Sequence, residues 1–513
     1  MHRIRTWARA KAHGDSRLVT SSRGASTPRT STGLSSASRT VPRQGDGTLA
    51  TEKESTPTEG ATGENEKAQP EKKPVVTRFF TVIWNVLTSS WLNVLLVFVP
   101  VGIAVRCAGM SDGMIFGMNA IAIVPLAGLL AHATESVAKR LGDTVGALMN
   151  VTFGNAVELI IFIIALVKNE IRIVQASLLG SILSNLLLIL GMCFVLGGLR
   201  FREQIYNSTV TQMSACLLSL SVISLLLPTA FHASFSSTTQ ADLQVLKVSR
   251  GTSVILLLVY FLYLLFQLNS HAYMYESTPQ HVIDRESQSY RSQPGALPPI
   301  VPIVVNSQPR TTAADGEDDE EPEISRTSAI LLLLVSTALV ALCAEFMVDA
   351  IDGVVAGNSG LSEAFVGLIL LPIVGNAAEH VTAVTVAVKN KMDLAIGVAI
   401  GSSIQIALFV TPLVVILGWI MNKDMSLYFT LFETISMFVS AFIVNFLVLD
   451  GRSNYLEGSL LCAAYVIIAL AAFFYPDSDE ANSIGGGSDE ASSTNTEAVK
   501  LMARGVMGML GWH

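Results

Sequence analysis

The chain is poor in the features that most enzymes and nucleic-acid binders need. Only 14% of its 513 residues are charged, and part of the net charge of -8 sits in one acidic stretch, Asp315 to Glu323. The basic footprint that grips a phosphate backbone is missing, so nucleic acid is not an expected partner. Five cysteines, Cys107, Cys193, Cys216, Cys343 and Cys462, stand singly with no Cys-x-x-Cys among them. They read as small apolar fillers, not as a disulfide or metal framework. No His-Glu-x-x-His occurs, so a zinc hydrolase lacks its ligands. No Gly-x-Ser-x-Gly supplies a serine nucleophile either. The expectation is a protein that is not an enzyme and needs no cofactor.

Long apolar runs take the place of charge. Half of the residues are hydrophobic and the mean hydropathy is +0.51, too apolar for two or three water-soluble domains. A helix needs about 20 mostly apolar residues to cross a bilayer. Eleven such windows run over 79–105, 115–138, 145–167, 174–198, 208–229, 251–268, 328–350, 362–388, 393–420, 427–449 and 455–475. Their continuity excludes the short alternating segments of a membrane barrel. The fold class expected is an all-α polytopic membrane protein with eleven transmembrane helices.

Residues 1–77 are rich in Ser, Thr, Gly and Arg and carry too little apolar surface to offset chain entropy, so they read as a disordered N-terminal tail. The first 45 residues hold eight arginines and one acid, Asp15, a balance that suits a basic cytosolic tail or a mitochondrial transit peptide; no secretory signal is apparent. An extra transmembrane helix follows at 78–107, then a five-helix block at 113–270 and a polar, acidic loop at 271–324. A second five-helix block fills 325–476 and a Gly- and Ser-rich tail 477–513. With the amino terminus cytosolic, Lys139, Arg140, Arg200, Arg202, Lys389, Lys391 and Arg452 fall in cytosolic loops. Arg106, Lys168, Arg172, Lys247, Arg250 and Lys423 fall opposite. The short loops are nearly balanced, so this orientation leans on the basic tail.

The two blocks are copies. A shift of 221 residues carries Gly154-Asn155-Ala156 onto Gly375-Asn376-Ala377 and Glu158 onto Glu379. It also carries Val167-Lys168-Asn169 onto Val388-Lys389-Asn390, and Gly180-Ser181 onto Gly401-Ser402, without a gap. A unit of five crossings makes the second copy enter from the opposite side, which gives inverted repeats. In secondary transporters such repeats bring equivalent helices together near the bilayer midplane, where the site lies.

Glu158 is embedded about ten residues, or ~15 Å, from either end of its window, and Glu379 is similarly embedded in 362–388. An ionised carboxylate at such depth costs about 2.5 to 3.5 kcal/mol or more, so it must be protonated, paired with a cation, or wet. Asn155 with Glu158, and Asn376 with Glu379, stand three apart and so share a helical face, kept low by Gly154 and Gly375. Further oxygens come from Ser181, Ser184 and Asn185, from Ser402, Ser403 and Gln405, and from the acids Glu135 and Glu345. A hard oxygen cage of this kind suits Ca2+, with Mn2+ second. A lone polar residue in a membrane helix is often interhelical glue, but duplication of the acids with their neighbours favours a site. His380 is either a proton carrier or a helix contact. Pro125 and Pro372 read as kinks.

At these motifs the chain resembles the calcium/proton exchangers of the calcium/cation antiporter superfamily, and most of all the fungal vacuolar members. The resemblance spans about 79–475 and rests on "VTFGNAVEL", "VGNAAEHV", "QASLLGSILSNLLL", "GSSIQIALFV" and "FQLNSH". It implies eleven helices, ten of them forming two inverted repeats. It also implies a cation path centred on Asn155, Glu158, Asn376 and Glu379, with Glu135, Ser402 and Gln405 contributing and His380 taking part in proton movement. The expected activity is exchange of cytosolic Ca2+ for lumenal H+ across a vacuolar membrane, with another endomembrane or the mitochondrial inner membrane as alternatives. A Na+-coupled exchanger, a passive channel and an intramembrane hydrolase are the rivals.

Overall fold

The computed structural model describes residues 90–141, 143–235, 238–271, 325–356 and 361–475. The N-terminal tail, the first residues of the 79–105 window, the acidic loop and the C-terminal tail lie outside the described residues. Seven helices are long and apolar enough to cross a membrane, nine if each of two bent pairs counts as one span. In chain order the helices begin with α1 (Trp91–Cys107), α2 (Asp112–Ala138), α3 (Asp143–Gly154), α4 (Ala156–Val167) and α5 (Ile171–Phe201). The first half closes with α6 (Ser208–His232) and α7 (Gln240–Ser270). The second half runs through α8 (Arg326–Ala356), α9 (Glu363–Gly375), α10 (Ala377–Val388), α11 (Met392–Ile420), α12 (Leu431–Leu447) and α13 (Tyr455–Phe473). Of these, α1 and α12 are the shorter apolar helices.

Two windows expected as single helices are broken. The chain bends by 49° between α3 and α4, at Asn155, and by 57° between α9 and α10, at Asn376. Gly-Asn explains the position: glycine weakens a helix interior, and asparagine favours the cap of the next one. The shared-face argument for Asn155 and Glu158 therefore gives way to a cap geometry, in which each Glu occupies the first turn of a new half-helix.

The duplication recurs in details that hydropathy does not carry. Among the described residues, four non-glycine residues have positive φ: Asn169 at 71°, Arg202 at 67°, Asn390 at 62° and Asn422 at 55°. Each ends a helix, and the pairs Asn169/Asn390 and Arg202/Asn422 sit at equivalent or adjacent repeat positions. Three of the four are Asn, whose short polar side chain tolerates the left-handed region. A π-helical turn interrupts α5 at Ser184–Ile189 and α11 at Ile406–Val410, again at equivalent places. Such turns gather at functional sites.

Loop contacts sort the helix ends into two groups. Arg106 and Lys168 both pair with Asp349, Lys423 donates to Asn169 (3.1 Å), and Arg172 meets Glu433 (3.5 Å). At the other ends, strand β1 (Glu203–Ile205) pairs antiparallel with β2 (Arg452–Asn454). There Gln204 Nε2 donates to the Ala387 carbonyl (2.9 Å) and to Asn390 Oδ1 (3.0 Å), and Asp393 accepts from the Asn207 amide (2.6 Å). We call these the Arg106 face and the Lys139 face.

Gln204 is 1% exposed and ties the end of α10 to the first half. Gln204→Met keeps most of the volume and removes the donors, at a cost of about 1 to 2 kcal/mol. The expected result is a lower thermal midpoint in detergent, read by the fluorescence of a thiol-reactive dye.

Candidate cation site

The half-helix starts place the site. Asn155 (φ -100°, ψ 29°) and Asn376 (φ -87°, ψ 10°) occupy the cap positions of α4 and α10, yet neither side chain turns back to cap its own helix. Both amides reach across to the other half instead. Asn155 Nδ2 donates to Gln405 Oε1 (2.7 Å), and Asn376 Nδ2 donates to Asn185 Oδ1 (3.0 Å) and to the Ser181 carbonyl (3.2 Å). The uncapped first turns of α4 and α10 leave backbone N–H groups near Glu158 and Glu379, an environment that favours negative charge.

Ser402 is the hub. Its hydroxyl lies 2.8 Å from Asn155 Oδ1 and 3.4 Å from Glu379 Oε1, and it accepts from Asn185 Nδ2 at 3.0 Å. Glu158 packs against the other half's glycine: a Cβ on Gly375 would sit 3.1 Å from Glu158 Cγ. Glu158 is 2% exposed and Asn376 fully buried. Residues of the two duplicated motifs thus lie together.

Three acceptor oxygens in this cluster are buried without a hydrogen-bond partner: Glu158 Oε1, Asn376 Oδ1 and Glu379 Oε2. A buried acceptor left unmade costs about 1 to 3 kcal/mol. Oxygens from two carboxylates and an amide are the donor set that a hard divalent cation accepts. Among the described residues no three His, Cys, Asp or Glu side chains gather as a metal group, so two carboxylates and neutral oxygens are what the cluster offers.

A cavity of about 760 Å³ leads to the cluster, with Glu379, Ser402, Gln405 and Gly154 among its walls. It reaches the Lys139 face, where Glu135, Asn207 and Asp393 line it. Glu379 is thus accessible from that side, while Glu158 lies behind it. His380 Nδ1 bonds the Asn376 carbonyl (2.8 Å), and its Nε2 is buried without a partner.

Two acids fall short of the expected embedding. Glu135 is exposed on the cavity wall near the end of α2 and pairs with Lys139 (3.1 Å), and Glu345 is exposed on α8. Neither joins the hydrogen-bonded cluster. Apolar neighbours in sequence do not say which way a helical side chain points: Glu135 faces the cavity and Lys139, and Glu345 lies exposed away from the cavity. Asn185, expected only as a further oxygen, proves central because it bridges Ser402 and Asn376. Asp393, which lines the cavity, drew no attention in the sequence. Its signal is an acid three residues after Asn390 of the Lys-Asn turn, in the first turn of the helix that carries Ser402.

The model of the sodium/calcium exchanger protein family matches residues 113–269 and again 328–474, once per half. The chain belongs to the sodium/calcium exchanger protein family. Within it, the chain is 43% identical over 462 residues to a vacuolar calcium ion transporter of Cryptococcus neoformans var. grubii, covering 78% of this chain and 76% of that one. It is 42% identical over 383 residues to a Ca2+/H+ antiporter of Aphanothece halophytica, covering 74% and 96%. The solved structure of the Ca2+/H+ antiporter protein YfkE superposes with a TM-score of 0.58 at 31% identity, covering 77% of this chain and 99% of that one.

Proposed function

We propose that this exchanger is a secondary active antiporter that moves Ca2+ out of the cytosol in exchange for lumenal H+, with Mn2+ as a second cargo. The observation that carries the reading is the set of buried, unpartnered oxygens of Glu158, Asn376 and Glu379, of which Glu379 lines a cavity that reaches the Lys139 face. Carboxylates must be deprotonated to ligate Ca2+, so ion and protons compete for the same oxygens. Ca2+ entering the cavity displaces protons from Glu379 and Glu158. When the path opens to an acidic lumen, protons reload the carboxylates and expel the ion. The unpartnered Nε2 of His380 supports a share for that ring in moving the proton.

Eleven crossings, with α3–α4 and α9–α10 each forming one broken span, make two inverted five-helix repeats after α1. The two groups of loop contacts support this count, because alternate crossings put Arg106, Lys168, Asp349 and Lys423 on one side and Gln204, Asn390 and Arg452 on the other. Half-helices meeting at a midplane site are the design that inverted-repeat transporters use. With the basic tail cytosolic, the Lys139 face is cytosolic and the cavity faces inward. A vacuolar membrane fits the name of the Cryptococcus relative.

Radiocalcium uptake into proteoliposomes tests the reading. An imposed acid-inside gradient is expected to drive accumulation that a protonophore abolishes. Uptake that follows a Na+ gradient and ignores the protonophore would replace proton coupling by sodium coupling. Equilibration without accumulation would mean a channel.

A further inference from the structure

The repeat makes the same contact twice in sequence but once in space. On the Arg106 side of the site, α9 lies against α5: a Cβ on Gly180 would meet the Leu368 carbonyl inside contact distance and Pro372 Cγ at 2.6 Å, and one on Gly367 would meet Ala176 Cβ at 2.7 Å. Small residues four apart, Ala176 and Gly180, let the two backbones close up. The 221-residue shift maps Ala176 onto Gly397, Gly180 onto Gly401, and Gly367 onto Gly146. A Cβ on Gly397 or Gly401 would meet nothing within 4 Å. Both glycines line the cavity, across which α3 presents Asn150 and Gly154. The closed α5–α9 seam and the open α3–α11 gap are thus equivalent elements in opposite conditions.

We infer that Gly397 and Gly401 are the landing seam onto which α3 closes when the site turns to the other face, and that the α5–α9 seam opens in the same step. The inference rests on the alternating-access reading above and adds the residues that carry the switch. Gly397-x-x-x-Gly401 leaves a low strip on which a helix could lie closely, and in this state none does. The one arrangement of this fold that supplies a helix is the pseudo-symmetric one already made at Ala176 and Gly180. Gly180, by the same logic, is compatible with the present state only while it lacks a side chain.

Opposite substitutions should therefore trap opposite states. Gly401→Val has space here and blocks the seam from closing, so it holds the cavity open. Gly180→Ala clashes with the Leu368 carbonyl here and disfavours this state. The reporter is Ser214→Cys on the cavity wall of α6, in a background with the five native cysteines replaced, labelled by a membrane-impermeant maleimide from the Lys139 side.

In Gly401→Val the expected results are labelling at least as fast as in the parent, retained equilibrium binding of radiocalcium, and exchange lowered by roughly 10-fold or more. In Gly180→Ala labelling slows by a similar factor. Wild-type exchange in Gly401→Val, or joint loss of labelling and Ca2+ binding in it, would overturn the seam. Unchanged labelling in folded Gly180→Ala would do the same. Labelling and binding need no proton gradient, so a parent protein that fails at pH-driven uptake while Gly180→Ala slows labelling and Gly401→Val does not would reject the coupling and leave the seam standing.

Discussion

Glu379→Gln is expected to lower pH-driven Ca2+ uptake about 100-fold, equivalent to about 3 kcal/mol, the scale of cost when a buried charge loses its counter-charge, here a bound cation losing a carboxylate. The amide is nearly isosteric, so the Ser402 contact at 3.4 Å and the packing of α10 persist. What disappears is the exchangeable proton. Gln neither binds H+ from the lumen nor releases it to an arriving cation, so the cycle fails even where the ion still docks. The measurement is initial radiocalcium uptake in acid-inside proteoliposomes, with circular dichroism and gel filtration to show that the variant is folded. Full uptake by a folded variant would remove Glu379 from the mechanism.

Ser402→Ala should act differently. Ser402 touches Asn155, Asn185 and Glu379 at once. Its loss leaves the Asn185 amide and an Asn155 oxygen to find new partners, at about 1 to 2 kcal/mol. Both carboxylates remain, so exchange continues. The expected outcome is an apparent Ca2+ affinity about 10-fold weaker, by the same energy, with a maximal rate near that of the parent. Initial rates measured across a Ca2+ series separate the two parameters. A collapse of the maximal rate with unchanged affinity would mean that Ser402 governs the conformational step and not the cage.

Much of this is legible in the sequence, for one physical reason: a bilayer demands long apolar segments, so polar residues inside them stand out. Glu158, Glu379 and their Gly-Asn neighbours could be named because each was duplicated at one spacing. The break at each Asn was harder to see, since Gly-Asn inside an apolar run is tolerated by a continuous helix as well as by a broken one. Side-chain direction was invisible for the same class of reason. Glu135 and Asn185 both sit in apolar helices, yet one faces Lys139 at the cavity wall and the other lies at the centre. The π-helical turn beginning at Ser184 alters the facing of every residue after it, and nothing in hydropathy records that.

The reciprocal contacts between halves also set a timetable for biosynthesis. Asn155 finds Gln405 only 250 residues later in the chain, and β1 pairs with residues as distant as Asn454. At about 5 to 20 residues per second of synthesis, the first half emerges from the ribosome roughly 12 to 50 s before its partners exist. During that interval Asn155 and Gln204 sit in a half-built bundle without the groups that satisfy them. A nascent chain of this design therefore depends on being sheltered in the membrane until its second half arrives, and the most vulnerable moment of its life precedes its first transport cycle.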